Sequence, residues 1–318
     1  MARAWLLSRE LSRYSRHVCE PHGSPCALAS LFPRAIAPVS CNETVLSILR
    51  QKLAPARILI SVPGPEHVYR RTLQLPKVES VLAPLGLSAQ RNAAIRQLDG
   101  DDDLVAFFDD DVELAPDYLL QAAQAFAANL SLCLLTGEVL SDGVRRGGLG
   151  RQVARAAICL APPSSGARPD ALQPVASAYG CNMVVRCSAL SRVRFDERLP
   201  LYGWLEDRDF SHWCKHLGDV ARCSACRMVH LGVSTGRLSG RRYGFSQIMN
   251  SFYLLQKGSV STGEMLVSYW GKPIAANLVG SLMPAGHIDR RGRLVGNLTA
   301  LWHLARARVE PEYVLSMT

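Results

Sequence analysis

Five consecutive apolar residues, Leu104-Val105-Ala106-Phe107-Phe108, run directly into three aspartates, Asp109, Asp110 and Asp111. The run has the length of a strand and no alternation, so both of its faces must be covered. That requirement predicts a central strand in a largely parallel sheet flanked by helices. In open sheets of this kind ligands bind beyond the carboxyl ends of the strands, which is where the chain delivers the acids. Clustered carboxylates there call for a cation, and hard divalent ions prefer such oxygen ligands. A solvated acidic loop is the plainer alternative. A second triplet, Asp101 to Asp103, precedes the same strand. At about 3.3 Å per residue the two triplets lie roughly 20 Å apart and cannot share an ion. The first, following Gly100, reads as the turn into the strand.

The flanking pattern supports an α/β chain. Upstream, a short strand is expected around Ala35 to Ser40 and a helix from Thr44 to Lys52, capped by Asn42 or Thr44. A strand from Arg57 to Val62 then ends at Pro63-Gly64-Pro65, completing a βαβ signal. Ser88 is placed to cap a helix from Ala89 to Leu98. Beyond the acids, Pro116 and Asp117 open a helix with Tyr118, Leu119, Ala122 and Phe126 on one face, and CLLTGEVLS reads as another strand. The stretch from Asp142 through APPSSGARPD is loose enough to be a lid. Glu206, Asp207 and Asp209 stand ahead of a helical pattern beginning near Phe210. A helix dipole stabilises acids there; chemistry on a hydroxyl would also need a base close to the reacting atom. Near the end, Leu294, Leu298, Leu301 and Trp302 share a helix face expected to be core or interface, with Arg306 and Arg308 at its end.

Charge narrows the partners. The chain of 318 residues has a net charge of +9, which suits sugar nucleotides, anionic lipid headgroups or nucleic acid. The arginines are scattered, without dense basic tracts or interleaved aromatics, which argues against nucleic acid. Hydrophobic content of 48% and charged content of 20% describe an ordinary globular protein. No run of 18 uncharged apolar residues is present to span a bilayer. The opening MARAWLLSRELSRYSRHV is a poor secretory signal. As a basic amphipathic helix it would give peripheral contact with an anionic membrane, with a flexible terminus as the alternative. The expectation is a cytoplasmic protein with reduced cysteines, in contact at most with the inner face of the membrane.

Taken in order, Gly86-Leu87-Ser88-Ala89-Gln90-Arg91-Asn92, the strand into Asp109-Asp110-Asp111, Gly180-Cys181-Asn182-Met183, Phe195-Asp196-Glu197 and Glu206-Asp207-Arg208-Asp209 closely resemble family 2 glycosyltransferases of the GT-A fold. The resemblance runs from about Leu31 to Gly258. It implies a largely parallel central sheet flanked by helices, with a Rossmann-like nucleotide-binding half and an acceptor half. The expected divisions are an N-terminal segment 1–28, a glycosyltransferase domain 29–260 and a C-terminal helical extension 261–318. The activity implied is inverting transfer of a sugar from a nucleotide-sugar donor to a glycan or lipid-linked saccharide acceptor, in cell-surface polysaccharide or glycoconjugate synthesis, with Mg2+ or Mn2+. Residue by residue, Asp109, Asp110 and Asp111 match the metal and diphosphate motif, with Asp111 as the leading metal ligand and Asp109 beside it. Arg91 and Asn92 match the donor side, Asp207 the general base with Glu206 beside it, and Asn182 and Trp204 the acceptor side. The chain departs from the family in a strand–helix unit that looks compressed between Asn42 and Gln51. It departs again in VPGPE, where Glu66 stands near a position at which relatives carry a nucleoside-binding Asp. Those departures leave a non-catalytic nucleotide- or partner-binding relative as the alternative.

Other constellations compete. Cys214, Cys223, Cys226 and His230 have a spacing that zinc could use, although thiols packed as small apolar groups serve equally. His230 is also positioned to reach a metal or diphosphate from the far wall of the cleft, or to be structural. Arg237, Arg241, Arg242 and Tyr243 among glycines read as a flexible basic loop. A nucleotidyltransferase would need a Gly-rich basic loop after its first strand, and CNETVLSIL offers none.

Overall fold

The computed structural model describes residues 27–32, 38–99, 102–161, 172–233, 238–282 and 288–317. Their strands are β1 (Ala27–Phe32), β2 (Ile58–Val62), β3 (Val78–Leu82), β4 (Leu104–Asp109), β5 (Val112–Leu114), β6 (Leu132–Asp142), β7 (Leu172–Pro174), β8 (Asn182–Arg186) and β9 (Asp219–His230). The helices used below are α1 (Pro38–Leu49), α2 (Leu87–Ile95), α3 (Tyr118–Ala128), α4 (Arg151–Leu160), α5 (Glu206–Cys214), α6 (Gly240–Lys257), α7 (Lys272–Leu282) and α8 (Arg290–Ala305). One mixed sheet runs β3-β2-β1-β4-β8-β6-β9-β5, with β7 beside β9. Its first four strands are parallel, and β8 is antiparallel to both β4 and β6.

The apolar run is the central strand β4, and its pleat divides the core. Leu104, Ala106 and Phe108 join Val45 and Ile48 of α1 and Tyr118, Ala122 and Phe126 of α3 on one face. Val105 and Phe107 join Leu87 and Ile95 of α2 and Phe210 and Cys214 of α5 on the other. Burial on both faces is why the run shows no polar alternation.

Behind the acids, backbone groups are fixed by buried polar contacts. The Asp110 carbonyl accepts from Ser40 Oγ at 2.9 Å and Thr44 Oγ1 at 2.7 Å. Arg151 of α4 reaches Glu113, the Val112 carbonyl and Thr44 at 2.8 to 3.0 Å. The acid-bearing turn is thereby tied to α1 and α4.

Several local expectations are corrected. The first strand lies at Ala27–Phe32, and α1 starts at Pro38, because proline suits the first turn of a helix, where its missing N–H is no loss. Asn42 and Thr44 are therefore inside α1 rather than capping it, and the unit is not compressed. Ser88 does not cap α2; Gly86, at φ 139°, takes the N-cap position. Buried Ser88 instead donates toward the Leu199 carbonyl at 3.4 Å. Part of the loose stretch after Asp142 is α4, while residues 162–170 of the expected lid lie outside the described residues, as do residues 1–26 of the N-terminal segment. Arg241, Arg242 and Tyr243 are in the first turn of α6, whose N-cap Ser239 accepts from the Arg242 amide; Arg237 lies outside the described residues.

In the C-terminal part, α6 packs against α8, and Phe245, Ile248 and Met249 of α6 share a core cluster with Ala300 of α8 and with Val314 and Met317 beyond it. A Cβ at Gly244 would sit 2.0 Å from the Arg293 carbonyl oxygen, and one at Gly296 2.1 Å from that of Arg241. Only glycine permits this approach of the two helices. The packed face of α8 is thus Gly296, Asn297, Ala300 and His303. The expected apolar face is displaced from it: Leu298 and Trp302 are exposed, and Leu294 and Leu301 are half-buried.

Candidate functional site

A solvent-open cleft of about 190 Å3 lies at the carboxyl end of β4, bounded among others by Arg91, Asp109, Tyr179, Trp204, Asp207 and His230. Strand order explains its position: β4 meets antiparallel β8 there, so the parallel half of the sheet ends against the second half.

Three groups form one wall. Ligand atoms of Asp109, Asp111 and His230, all buried, lie within 4.8 Å of one another. His230 ends β9, and its Nε2 is 3.3 Å from Asp111 Oδ1. Asp111 Oδ2 also accepts from the Val233 amide at 2.8 Å. Two carboxylate oxygens and an imidazole nitrogen suit a hard or borderline divalent cation. Burial alone would lower the His230 pKa, but hydrogen bonds to Asp111 and Asp142 outweigh it and push it up to about 10.

The opposite wall is the head of α5. Leu205, at φ 72°, turns the chain into the helix, following Gly203 at φ 58°. The tight turn brings Glu206 and Asp207 into the cleft. Asp207 Oδ2 accepts from the Gly180 amide at 3.0 Å and Oδ1 from the Arg208 amide at 2.8 Å. Burial raises the Asp207 pKa against these hydrogen bonds. Glu206 is pushed up to about 8 by burial, against the pull of Arg91. A Cβ at Gly180 would lie 2.9 Å from Glu206 Oε1 and press on that carboxylate.

Arg91 stands between the walls. Its guanidinium donates to Glu206 and, at 2.7 Å, to the Gly180 carbonyl, lies 3.5 Å from Asp109, and covers the Phe195 ring at 5.0 Å. It lies in the second turn of α2, not the first, so its amide is not one of the helix's unbonded N–H groups.

Other expected site residues fall elsewhere. Asn92 clips the loop that leads to α5, donating to the Phe195 carbonyl and Glu197, each at 2.8 Å, and accepting from the Phe195 amide. Asn182 is fully buried, its Oδ1 taken by Thr136 Oγ1 and the Gly137 amide, so it does not line the cleft. Trp204 does line it, 5.2 Å from the Tyr243 ring and near Tyr202. Asp110 presents its backbone to α1, and its side chain is not part of the three-ligand group. The zinc alternative is not supported: Cys214 is hydrogen-bonded to Cys133, Cys223 to Cys226, and His230 faces aspartates. Glu66 is exposed and pairs with His67 at 3.1 Å. Tyr179 and Tyr202 line the cleft and Asp142 meets His230 behind it; sequence reasoning singled out none of the three, because nothing local marks them.

A search of curated protein sequences gave no significant match. Among solved structures, the fold is similar to a crystal structure of S. aureus TarS 1-349, at 14% identity and TM-score 0.52, over 91% of this chain and 82% of that one. A longer S. aureus TarS structure aligns at 18% identity with TM-score 0.46, over 91% of this chain and 54% of that one. Residues 66–194, which include α2, the Asp109–Asp111 acids and the Gly180 turn, match the family model described as glycosyl transferase family 2. Residues 66–194 are thus similar to family 2 glycosyltransferases, within a chain whose mixed α/β fold is similar to that of S. aureus TarS 1-349.

Proposed function

We propose that the protein is an inverting glycosyltransferase that moves a sugar from a nucleotide-sugar donor to a glycan or lipid-linked saccharide acceptor, in cell-surface polysaccharide or glycoconjugate synthesis. One observation carries the reading: Asp109 and His230 on one wall and Asp207 and Glu206 on the other open into the same cleft. In this reading Asp109, Asp111 and His230 hold Mg2+ or Mn2+. When bound, the ion neutralises charge developing on the departing diphosphate. Asp207 takes the proton from the acceptor hydroxyl as it attacks the anomeric carbon. Its raised pKa makes it a better base than an ordinary carboxylate, and the Gly180 and Arg208 amides hold it in place. Direct displacement needs no covalent sugar–enzyme intermediate. Arg91 fixes the distance between the walls and keeps a positive charge beside the donor side. Trp204, with Tyr202 and Tyr243, gives the acceptor side an aromatic surface.

The test is thermal stability with nucleoside diphosphates and sugar nucleotides, with and without Mn2+. A metal-dependent rise that disappears in Asp111→Ala is expected. A rise unchanged by that substitution would sink the metal assignment, and no rise with any nucleotide would favour a non-catalytic, partner-binding protein.

Peripheral contact with an anionic membrane is part of the proposal, and its support lies in the C-terminal helices. The described residues contain no helix long and apolar enough to cross a bilayer. Yet α7 and α8 expose Leu278, Val279 and Leu282 and Val295, Leu298 and Trp302, with arginines at both ends of α8.

A further inference from the structure

We propose that Asp142, held by Tyr179, is a positioning residue that orients His230 toward the cation site. The inference rests on the metal-dependent reading above and adds two residues to it. Asp142 is the last residue of β6 and stands in register with His230 at the end of β9. Its Oδ1 is 3.2 Å from His230 Nδ1, the ring nitrogen that faces away from Asp111. The same oxygen accepts from the Val144 amide at 2.9 Å. Its other oxygen accepts from the Tyr179 hydroxyl at 3.0 Å, and that hydroxyl is itself 3.4 Å from His230 Nδ1. The Tyr179 ring meets the imidazole edge-on, at 5.9 Å and 85°.

The consequence follows from imidazole chemistry. A carboxylate on Nδ1 fixes the ring's rotation and favours the tautomer protonated at Nδ1, leaving the Nε2 lone pair for a cation. Without it the ring is free to turn, and the nitrogen beside Asp111 need not be the one that binds.

The backbone is built for this contact. The Gly143 amide donates to the His230 carbonyl at 2.8 Å, and the Leu149 amide to that of Leu231, also at 2.8 Å. A Cβ at Gly143 would lie 1.9 Å from the Leu231 carbonyl oxygen, and one at Gly232, where φ is +65°, would lie 2.3 Å from the Val144 nitrogen. Two glycines therefore let the ends of β6 and β9 close on each other and bring Asp142 against His230.

The experiment measures Mn2+ affinity of the full chain by loss of the free-ion electron paramagnetic resonance signal, with far-ultraviolet circular dichroism to confirm folding. Asp142→Ala is expected to weaken Mn2+ binding about 10- to 100-fold. Asp142→Asn, which still accepts from Nδ1 but without charge, should fall between that variant and wild type. Tyr179→Phe should lose only a few-fold. The deciding measurement is Asp142→Ala in a His230→Ala background, where no further loss is expected, because Asp142 acts through His230. Wild-type affinity in Asp142→Ala, or an equal loss with His230 already removed, overturns the positioning role while leaving the cation site standing. Absence of Mn2+ binding by the wild-type chain removes the cation site itself, and this role with it.

Discussion

Arg91 donates to Glu206 across 115 residues of sequence, and the two side chains are almost wholly buried. The contact joins α2 to the head of α5, and through Asp109, 3.5 Å away, to the end of β4. A buried cation shared by carboxylates is costly to assemble and more costly to disrupt, because removing it strands charge in a dry site.

Arg91→Met should therefore destabilise the protein by about 3–5 kcal/mol at neutral pH, read from urea denaturation. Adding Glu206→Gln to Arg91→Met should recover part of that loss, because the buried carboxyl that lost its donor is gone; additive losses would show that the two residues do not act as a pair. Arg91→Lys should also lose stability, since a single ammonium cannot reach Glu206 and the Gly180 carbonyl with the same fork geometry.

Asp207→Asn should retain donor binding and lose about 10²- to 10⁴-fold in the transfer rate, measured by sugar transfer beside calorimetric donor titration. A base works deprotonated, so the wild-type rate should rise with pH through the pKa of Asp207. Burial raises that value, which places the acid limb above the range of an exposed aspartate. An acid limb at the ordinary aspartate value, or undiminished transfer by the variant, would exclude Asp207 as the base.

The limits of sequence reading follow from how far apart the contacting residues lie. The run Leu104 to Phe108 and its acids were legible because burial on both faces and delivery of charge are written in consecutive residues. The head of α5 was legible for the same reason, although its helix begins at Glu206 rather than near Phe210. The first strand, Ala27–Phe32, is short and followed at once by Pro33, and its apolar pattern is no stronger than that of the Ala35 region beside it. Ser88 has the composition of a cap, but tertiary contact with Leu199 claims its hydroxyl. Asp142 and His230 meet only because β6 and β9 run parallel through three register irregularities. No local pattern encodes that pairing; Gly143 and Gly232 were its only trace.

Stability should depend on pH through the group that clamps α6 to the cleft loop. Lys257 Nζ lies 2.6 Å from both Asp196 and Asp209. Burial by itself would raise Asp196, but hydrogen bonds from Lys257 and Tyr253 leave its pKa below the usual range. A depressed carboxylate contributes stability above its unfolded pKa, near 3.9, and loses it as pH falls through the folded value. Burial would lower Lys257, but its two aspartate partners raise it, so its contribution is present below about pH 10.4 and fades only above that. Lys257→Met should cost about 2–3 kcal/mol at pH 7 and less at pH 3, below the unfolded Asp196 pKa, where the carboxylate's contribution is being lost. An equal cost at both pH values in urea denaturation would show that the side chain acts by packing alone.

The last prediction concerns the outward face of the C-terminal helices. Leu278, Leu282 and Trp302 are 53%, 79% and 54% exposed, and no acidic residue occurs between Met265 and Ile288. Asp289, the acid that follows, is occupied as the N-cap of α8, accepting from the Gly292 amide at 2.7 Å. Arg306 lies over the Trp302 ring at 3.2 Å, and Arg290 and Arg291 stand at the other end of the helix. Apolar side chains bordered by arginines match an interface where acyl chains meet anionic headgroups. The full chain should therefore sediment with phosphatidylglycerol-containing vesicles and much less with phosphatidylcholine alone, and salt should weaken binding. Burying one leucine is worth about 1.5–3 kcal/mol, so Leu278→Glu and Leu298→Glu should each reduce partitioning about tenfold or more while leaving the fold intact. Equal binding to neutral vesicles would remove the electrostatic part of the argument. Failure to bind either kind, with a concentration-dependent dimer in sedimentation that Leu298→Glu dissolves, would assign the face to a second copy of the chain.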